Sequence, residues 1–312
     1  MFLGPKLRTI VLNTDGSAII RSSLLPALIT FHPKLTRVEF DVMTLDSPMT
    51  TDAIHSALCG WNFLEKLRVD SLNLPSMLHL ARLPNLGTLT VGRLPSDAAM
   101  INEFRARVES VGPAFSPLRE FSTSSPTVPD FTSFMRAIDP DVLDCLHLTL
   151  DAPTPSEMWE LLITTLAEKS VKTLTELNLK ERYLHEHEVA DLIERMVTAD
   201  SLKPLLSFTN MVWLKFEAAH GIDLDDSMLR QMALAWPQLQ SLHLSPRLQS
   251  AAYIPQITLS GLIPLAQHCP RLASLAIMLN AIVTTDPYST EKPGGGIRNT
   301  ALVELDVGES PL

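Results

Sequence analysis

The sequence predicts an α/β solenoid, in which short strands alternate with helices and neighbouring repeats stack on one another. Three observations lead to this prediction. An apolar motif, L-x-x-L-x-L, recurs along the whole chain of 312 residues, and its last two apolar positions are two residues apart. The segments between the motifs have the apolar spacing of helices. Repeats at a period of roughly 20 to 50 residues are typical of solenoids.

The motif occurs about eleven times, at a mean spacing of about 30 residues. In PQLQSLHL, Leu242 and Leu244 point to one side of an extended chain, and Ser241 and His243 point to the other. Each copy therefore predicts a strand with one buried and one exposed face. The first apolar residues of the copies are Leu7, Leu35, Leu64, Leu86, Leu118, Leu143, Leu174, Met211, Leu239, Leu272 and Leu302.

The segments 52–61, 188–197 and 258–269 each predict a helix with one apolar stripe. In the first of them, Ile54, Ala57, Leu58 and Trp61 follow the spacing i, i+3, i+4, i+7. Neither a strand nor a helix of this kind can bury its apolar face alone, so stacked repeats must bury both. We expect one domain over 1–312, a horseshoe with a parallel sheet on its concave face and helices on its convex face.

Two segments interrupt the repeat, and we predict loop insertions in both. The segment near 113–130 is dense in Ser, Thr and Pro, and its motif copy is the weakest of the set. The segment 284–300 contains the sequence KPGGG. Such compositions are typical of turns and flexible connections.

Composition and charge narrow the class of partner. The chain has 25 Lys and Arg against 35 Asp and Glu, a net charge of −10, which disfavours binding to nucleic acid. Lys6 and Arg8 lie where a signal peptide would have its apolar region, and no apolar stretch has the length of a membrane span. The three cysteines lie far apart, as expected of free thiols in a reducing compartment. We expect a cytoplasmic or nuclear protein with no membrane partner.

Two groups of residues are candidates for chemistry. His185 and His187, in the sequence HEHE, would point to different sides of a helix, so we predict no metal site there. Cys145 and His147 fall side by side on the exposed face of a strand, which would suit a thiol and its base. An open sheet provides no obvious orienting group. We therefore expect no catalytic residues, no metal and no cofactor, with an enzyme using Cys145 and His147 as the alternative.

The exposed strand positions are the predicted binding surface. They carry a mixture of acidic and basic side chains, which suits a protein partner better than a polyanion. Trp213 stands among charged residues, and Trp is enriched at binding hot spots. The alternative for Trp213 is that neighbouring side chains cover it. The predicted partner-binding residues on the concave face are Trp213, Lys215, Lys180, His243, Asn178, Glu217, Arg68 and Arg37.

One sequence feature resembles a known family. The segment LSGLIPLAQHCPRLASLAI resembles the leucine-rich repeat of F-box proteins, whose helix ends in Cys-Pro-x-Leu. Trp236 and Trp61 stand in the place of that cysteine in two other copies, as in fungal F-box proteins. The Asn or Cys that the family places after each motif is nearly absent here. No F-box precedes the first motif, so we expect a member truncated at both ends.

The resemblance implies a function. In such proteins the repeats recognise a substrate of a cullin-type ubiquitin ligase, and the F-box binds the ligase adaptor. We therefore expect a protein-interaction scaffold that is the substrate-recognition part of such a ligase, with adaptor binding only if an F-box lies upstream of Met1. The alternative is a free-standing leucine-rich repeat protein that binds or inhibits a partner without a ligase.

Overall fold

The computed structural model describes residues 4, 6–13, 24–41, 48–110, 112–170, 172–182, 196–244, 254–281, 296–308 and 310. It divides into two compact units, Met1–Asp144 and Cys145–Leu312. Strands and helices alternate in both units, and the paired strands are parallel. The predicted α/β solenoid fold is confirmed. No helix of the described residues combines the length and the apolar character needed to cross a membrane. The prediction of one domain over 1–312 stays a prediction.

The first unit contains five strands and five helices within its described residues. The strands are β1 (Thr9–Asn13), β2 (Arg37–Asp41), β3 (Lys66–Val69), β4 (Thr88–Val91) and β5 (Glu120–Ser125), and each pairs in parallel with the next. The helices between and after them are α1 (Leu25–Phe31), α2 (Pro48–Leu58), α3 (Leu74–Leu80), α4 (Ala98–Glu109) and α5 (Val128–Ala137).

In the second unit, six parallel strands follow the order β6, β7, β9, β11, β12, β13, and β8 forms a separate parallel pair with β10. The strands are β6 (Cys145–Leu150), β7 (Glu176–Glu181), β8 (Val197–Thr198), β9 (Trp213–Glu217), β10 (Ile222–Asp223), β11 (Ser241–Leu244), β12 (Ser274–Ile277) and β13 (Glu304–Asp306). The helices are α6 (Ser156–Ser170), α7 (Ala199–Leu202), α8 (Asp226–Ala235) and α9 (Ile263–His268), with 3-10 turns at Lys203–Ser207 and Leu259–Leu262.

The leucines of the motif form the core in both units. Leu146, Leu177, Leu214, Leu242 and Leu275 pair in register across five strands, and each is at most 3% exposed. The residues between them in each strand point to the opposite side. Because side chains alternate along a strand, one register places these five leucines in the core and their strand neighbours on the other face.

A Trp or Cys is buried at the position where a helix ends and the chain turns into the next strand. Trp236 and Cys269 are 0% exposed, and their amides donate to Met232 and Leu265 in the last helical turn. The carbonyl of Trp236 accepts from Leu239, the first leucine of the next motif. Trp61 is buried in the same way after α2. One side chain at this position thus fills the core at the end of each helix.

The structure differs from the prediction at 113–130. This segment holds β5 and the start of α5, so its composition does not mark a loop insertion. Phe121 is buried, Ser125 donates to the carbonyl of Thr127, and Thr127 caps α5 by accepting from the amide of Asp130 at 3.3 Å. The Ser and Thr residues are therefore used in strand and helix-cap hydrogen bonds.

Two other predictions fall largely outside the described residues. Most of the predicted insertion at 284–300 lies there, as does the predicted helix at 188–197 except for its last two residues. Of these two, Val197 belongs to strand β8 and not to a helix. Of the other predicted helices, the one at 52–61 is confirmed as α2, and the one at 258–269 is a 3-10 turn followed by α9.

Candidate protein-binding face

The strand face opposite the buried leucines is called the open face, and all eight predicted partner-binding residues lie on it. Each occupies a strand position that alternates with buried residues, and each side chain is half-buried or exposed. Six of them lie on the neighbouring strands β7, β9 and β11 of the second unit: Asn178, Lys180, Trp213, Lys215, Glu217 and His243. Arg37 and Arg68 lie on the open face of the first unit, on β2 and β3.

Trp213 lies between two histidines. Its ring centroid is 6.3 Å from that of His147 on β6 and 6.4 Å from that of His243 on β11, with tilts of 44° and 43°. The three side chains, called the aromatic row, cross the middle of the second unit's open face. Neighbouring side chains thus cover Trp213 in part, since its flanks face imidazoles while the residue stays half-buried, and its role in binding stays a prediction. Half-exposed Trp with a polar surround is typical of interaction surfaces.

Charged residues lie beside the aromatic row. The ammonium of Lys215 is 2.8 Å from Oε1 of Glu217 on the same strand. Lys180 pairs in register with Glu217, and Asn178 pairs with Lys215. Oδ1 of Asn178 is buried and accepts no hydrogen bond from the described residues.

A hydrogen-bonded chain fixes His243. Ser274 donates to Oε2 of Glu304 at 2.8 Å, and its hydroxyl oxygen lies 2.8 Å from Nε2 of His243. Since the hydroxyl proton goes to the carboxylate, Nε2–H of His243 donates to Ser274. The sequence prediction missed Ser274 and Glu304, although both occupy the first exposed position of their motif copies.

Cys145, His147 and Glu176 form a second cluster on the same face. Nε2 of His147 lies 3.4 Å from Sγ of Cys145 and 3.3 Å from Oε1 of Glu176. The predicted adjacency of Cys145 and His147 is therefore present. In a catalytic triad the nucleophile and the acid contact different ring nitrogens of the histidine. Here both contact Nε2, so the cluster does not have the geometry of a triad.

The open face of the first unit is built from different side chains. Nε of Arg37 donates to Glu39 at 2.9 Å, and Thr88 donates to Glu120 at 3.2 Å. Arg68 is exposed. The described strand positions on this face, from β1 to β5, contain no aromatic side chain.

A buried carboxylate lies at the end of β7. Glu181 is 1% exposed and accepts from the amides of Thr154, at 2.6 Å, and Ala219. It thus joins the segment after β6 to the segment after β9. Burial raises the pKa of this carboxyl, against the lowering effect of the Ala219 and Thr154 hydrogen bonds. The sequence analysis did not identify Glu181, because a charged residue at a strand end carries no signal of burial.

We predict no metal site at His185, Glu186, His187 and Glu188. These four residues lie outside the described residues, so that prediction stays a prediction.

Neither the scan against models of protein families nor the search of curated proteins found a match to this chain. The resemblance to F-box leucine-rich repeat proteins therefore stays a prediction from the quoted motifs.

Proposed function

We propose that the protein is an interaction scaffold and that the open face of the second unit binds a protein partner. The observation that carries this proposal is Trp213, a half-buried aromatic residue held between His147 and His243 on three strands of a rigid sheet. Side chains that paired strands already hold in place lose little conformational entropy on binding, so the entropic cost of covering them with a partner is small.

The charges of this face favour a polypeptide over a polyanion. Lys180 and Lys215 lie on the same strands as Glu176 and Glu217, so this part of the face carries both signs of charge. Such a mixture complements a partner that carries both signs of charge, whereas a phosphate backbone would be repelled by the carboxylates. The net charge of −10 for the whole chain acts in the same direction.

The ligase role is a narrower proposal that rests on the sequence resemblance alone. In it, the partner bound on this face is a substrate for ubiquitination, and an F-box would bind the ligase adaptor. The alternative, a free-standing repeat protein that binds or inhibits its partner, uses the same face. Binding of the purified adaptor to the complete gene product distinguishes them.

The test begins with capture of partners on the immobilised chain, followed by their identification and titration of the purified partner by calorimetry. We expect Trp213→Ala to weaken binding by about 2 kcal/mol, or roughly 30-fold, the scale of a hot spot. Glu160→Ala, an exposed change on helix α6, is the matched control and should bind as the wild type does. Circular dichroism of both variants should match the wild type, because neither side chain is fully buried.

Two results would contradict the proposal. Trp213→Ala could bind the partner with wild-type affinity, which would place the contact elsewhere. Binding could also survive Trp213→Ala and disappear on replacement of 284–300, and recognition would then use that segment instead of the open face.

A further inference from the structure

The cluster of Cys145, His147 and Glu176 has a geometry that protein–protein binding does not require. Its three residues each offer one ligand atom, and these atoms all lie within 4.8 Å of one another. They are a sulfur, an imidazole nitrogen and a carboxylate oxygen, three different ligand types that meet at one point. Among the described residues this is the one group of three such side chains that converges in this way.

The contacts of His147 are difficult to explain by hydrogen bonds alone. Nε2 carries either one proton or one lone pair, while Sγ and Oε1 both approach it, at 3.4 Å and 3.3 Å. If Nε2 is unprotonated, the carboxylate faces a lone pair; if it is protonated, two acceptors share one proton. A cation between the three atoms would satisfy all of them at once.

Two of the three distances between the ligand atoms match those of a tetrahedral metal site. Zinc binds sulfur at about 2.3 Å and imidazole nitrogen or carboxylate oxygen at about 2.0 to 2.1 Å. At tetrahedral angles, these bonds place sulfur about 3.5 Å from nitrogen and nitrogen about 3.3 Å from oxygen. The observed separations of 3.4 Å and 3.3 Å agree with both values.

The sheet holds the three residues in place. Cys145 and Glu176 are direct register partners on β6 and β7, and His147 is two residues beyond Cys145 on the same face. The ring of Trp213 lies beside that of His147, at 6.3 Å between centroids. Ligands on paired strands are positioned more accurately than ligands on loops. The side chains of His147 and Glu176 are 36% and 42% exposed, so an ion can enter from solvent.

We infer that Cys145, His147 and Glu176 form a binding site for a divalent transition-metal ion, with zinc as the best match. Thiolate and imidazole ligands select zinc over magnesium or calcium, which prefer oxygen ligands only. Three protein ligands leave a fourth position for water or for a donor from a partner. This inference is independent of the proposed function, because the site is complete without a partner.

The test uses the full chain, kept reduced, stripped with a chelator and titrated with Co²⁺ and then Zn²⁺. We expect one Co²⁺ per chain, the intense visible bands of a tetrahedral site, and a thiolate-to-cobalt charge-transfer band in the near ultraviolet. Zn²⁺ should displace Co²⁺ and abolish these bands. Because the thiol must lose its proton to bind, affinity should rise with pH.

Matched variants locate the site. Cys145→Ser should abolish the charge-transfer band, whereas Cys59→Ser, a change at an exposed cysteine of the first unit, should retain it. Glu176→Gln should weaken zinc binding at least about tenfold, since loss of even an outer-shell partner costs that much. Circular dichroism checks that each variant is folded.

Three outcomes would overturn the inference. The wild-type chain could bind no Co²⁺ with a charge-transfer band, in which case the contacts of His147 are hydrogen bonds only. The band could survive in Cys145→Ser. Cobalt could also still bind Cys145→Ser with unchanged stoichiometry and be lost in a double variant, His185→Ala with His187→Ala, which would assign the metal to that segment. Partner binding is measured separately, so failure here leaves the proposed function untouched.

Discussion

The two units have the same buried construction and different open faces. In each, parallel strands bury the motif leucines, and large aromatic residues fill the space between sheet and helices. On the open face, the first unit carries charged and hydroxyl side chains such as Arg37, Arg68 and Thr88. The second unit carries Trp213 between two histidines, with Cys145 and Glu176 nearby.

The difference shows that the repeat constrains only half of its strand residues. Nearly every inward position is apolar, because the stacked strands leave no room for water there, and a polar exception, Glu181, is held by backbone hydrogen bonds. The outward positions have no such requirement and can change without loss of the fold. A surface rich in Trp and His is therefore a specific property of the second unit, and this is why its open face is the better candidate for function.

The largest expected effects concern what the units share, their aromatic layers. Phe134 in the first unit is 1% exposed and lies within 6.4 Å, between ring centroids, of Phe104, Phe115 and Phe121. Trp159 in the second unit is 0% exposed and packs edge-on against Phe216 at 4.6 Å.

Phe134→Ala and Trp159→Ala should each lower the free energy of unfolding by about 3 to 5 kcal/mol, measured by urea denaturation, because each leaves a cavity. A cost below about 1 kcal/mol in only one unit would mean that the two cores are not equivalent.

The next prediction separates the two open faces by the kinetics of partner binding. Trp213→Ala should act mainly on the dissociation rate and should change little with salt. Arg68→Ala, on the exposed charged face, should mainly slow association, by less than about tenfold, and this effect should fade as salt screens the charge. Surface plasmon resonance at low and high ionic strength measures both. If Arg68→Ala weakened partner binding as much as Trp213→Ala does, and independently of salt, the two faces would not differ in this way.

A third comparison concerns buried carboxyls. Burial raises the pKa of Glu181 in the second unit above 4.5 and that of Asp70 in the first above 3.8, with Arg93 opposing the effect at Asp70. A raised folded-state pKa means that the folded protein binds the proton more tightly than the unfolded chain. The stability from this proton is present below the ordinary pKa and is lost as pH rises through the raised pKa.

As pH rises from acid towards neutral, the wild type should therefore lose unfolding free energy relative to Glu181→Gln. Asp70→Asn should show the same direction with a smaller amplitude, since Asp70 is only half-buried. Urea titrations at a series of pH values measure both. A wild type that gains stability over Glu181→Gln in this range would show that the Thr154 and Ala219 hydrogen bonds dominate.

The smallest expected effects are those of ion pairs on the open faces. Lys215 and Glu217 have side chains 30% and 13% exposed, and Arg37 and Glu39 have side chains 47% and 16% exposed. Double-mutant cycles with alanine at the cation and glutamine at the anion should give about 0 to 1 kcal/mol for each pair. The less exposed Lys215 pair should give the higher value. A larger coupling for Arg37 and Glu39 would reverse this order.

The motif by itself determined the strands, the helical segments between them and the buried residues at the helix ends. Leu242 and Leu244, or Trp236 and Cys269, could be placed in the core because alternation along a strand and the end of an apolar stripe are local properties of the chain. Aligning the copies also showed that Cys145, Glu176 and Trp213 occupy the same exposed position.

Only the tertiary structure decided which atoms meet. Glu176 reaches His147, and Ser274 joins His243 to Glu304, through side-chain rotamers that depend on neighbours about 30 residues away. Glu181 is polar in the sequence and buried in the fold, because amides of two other segments converge on it. Likewise, the composition of 113–130 favoured a loop, but packing of Phe121 and neighbouring strands held it as β5 and α5. Local propensity is weak compared with burial and register, which exist only in the folded chain.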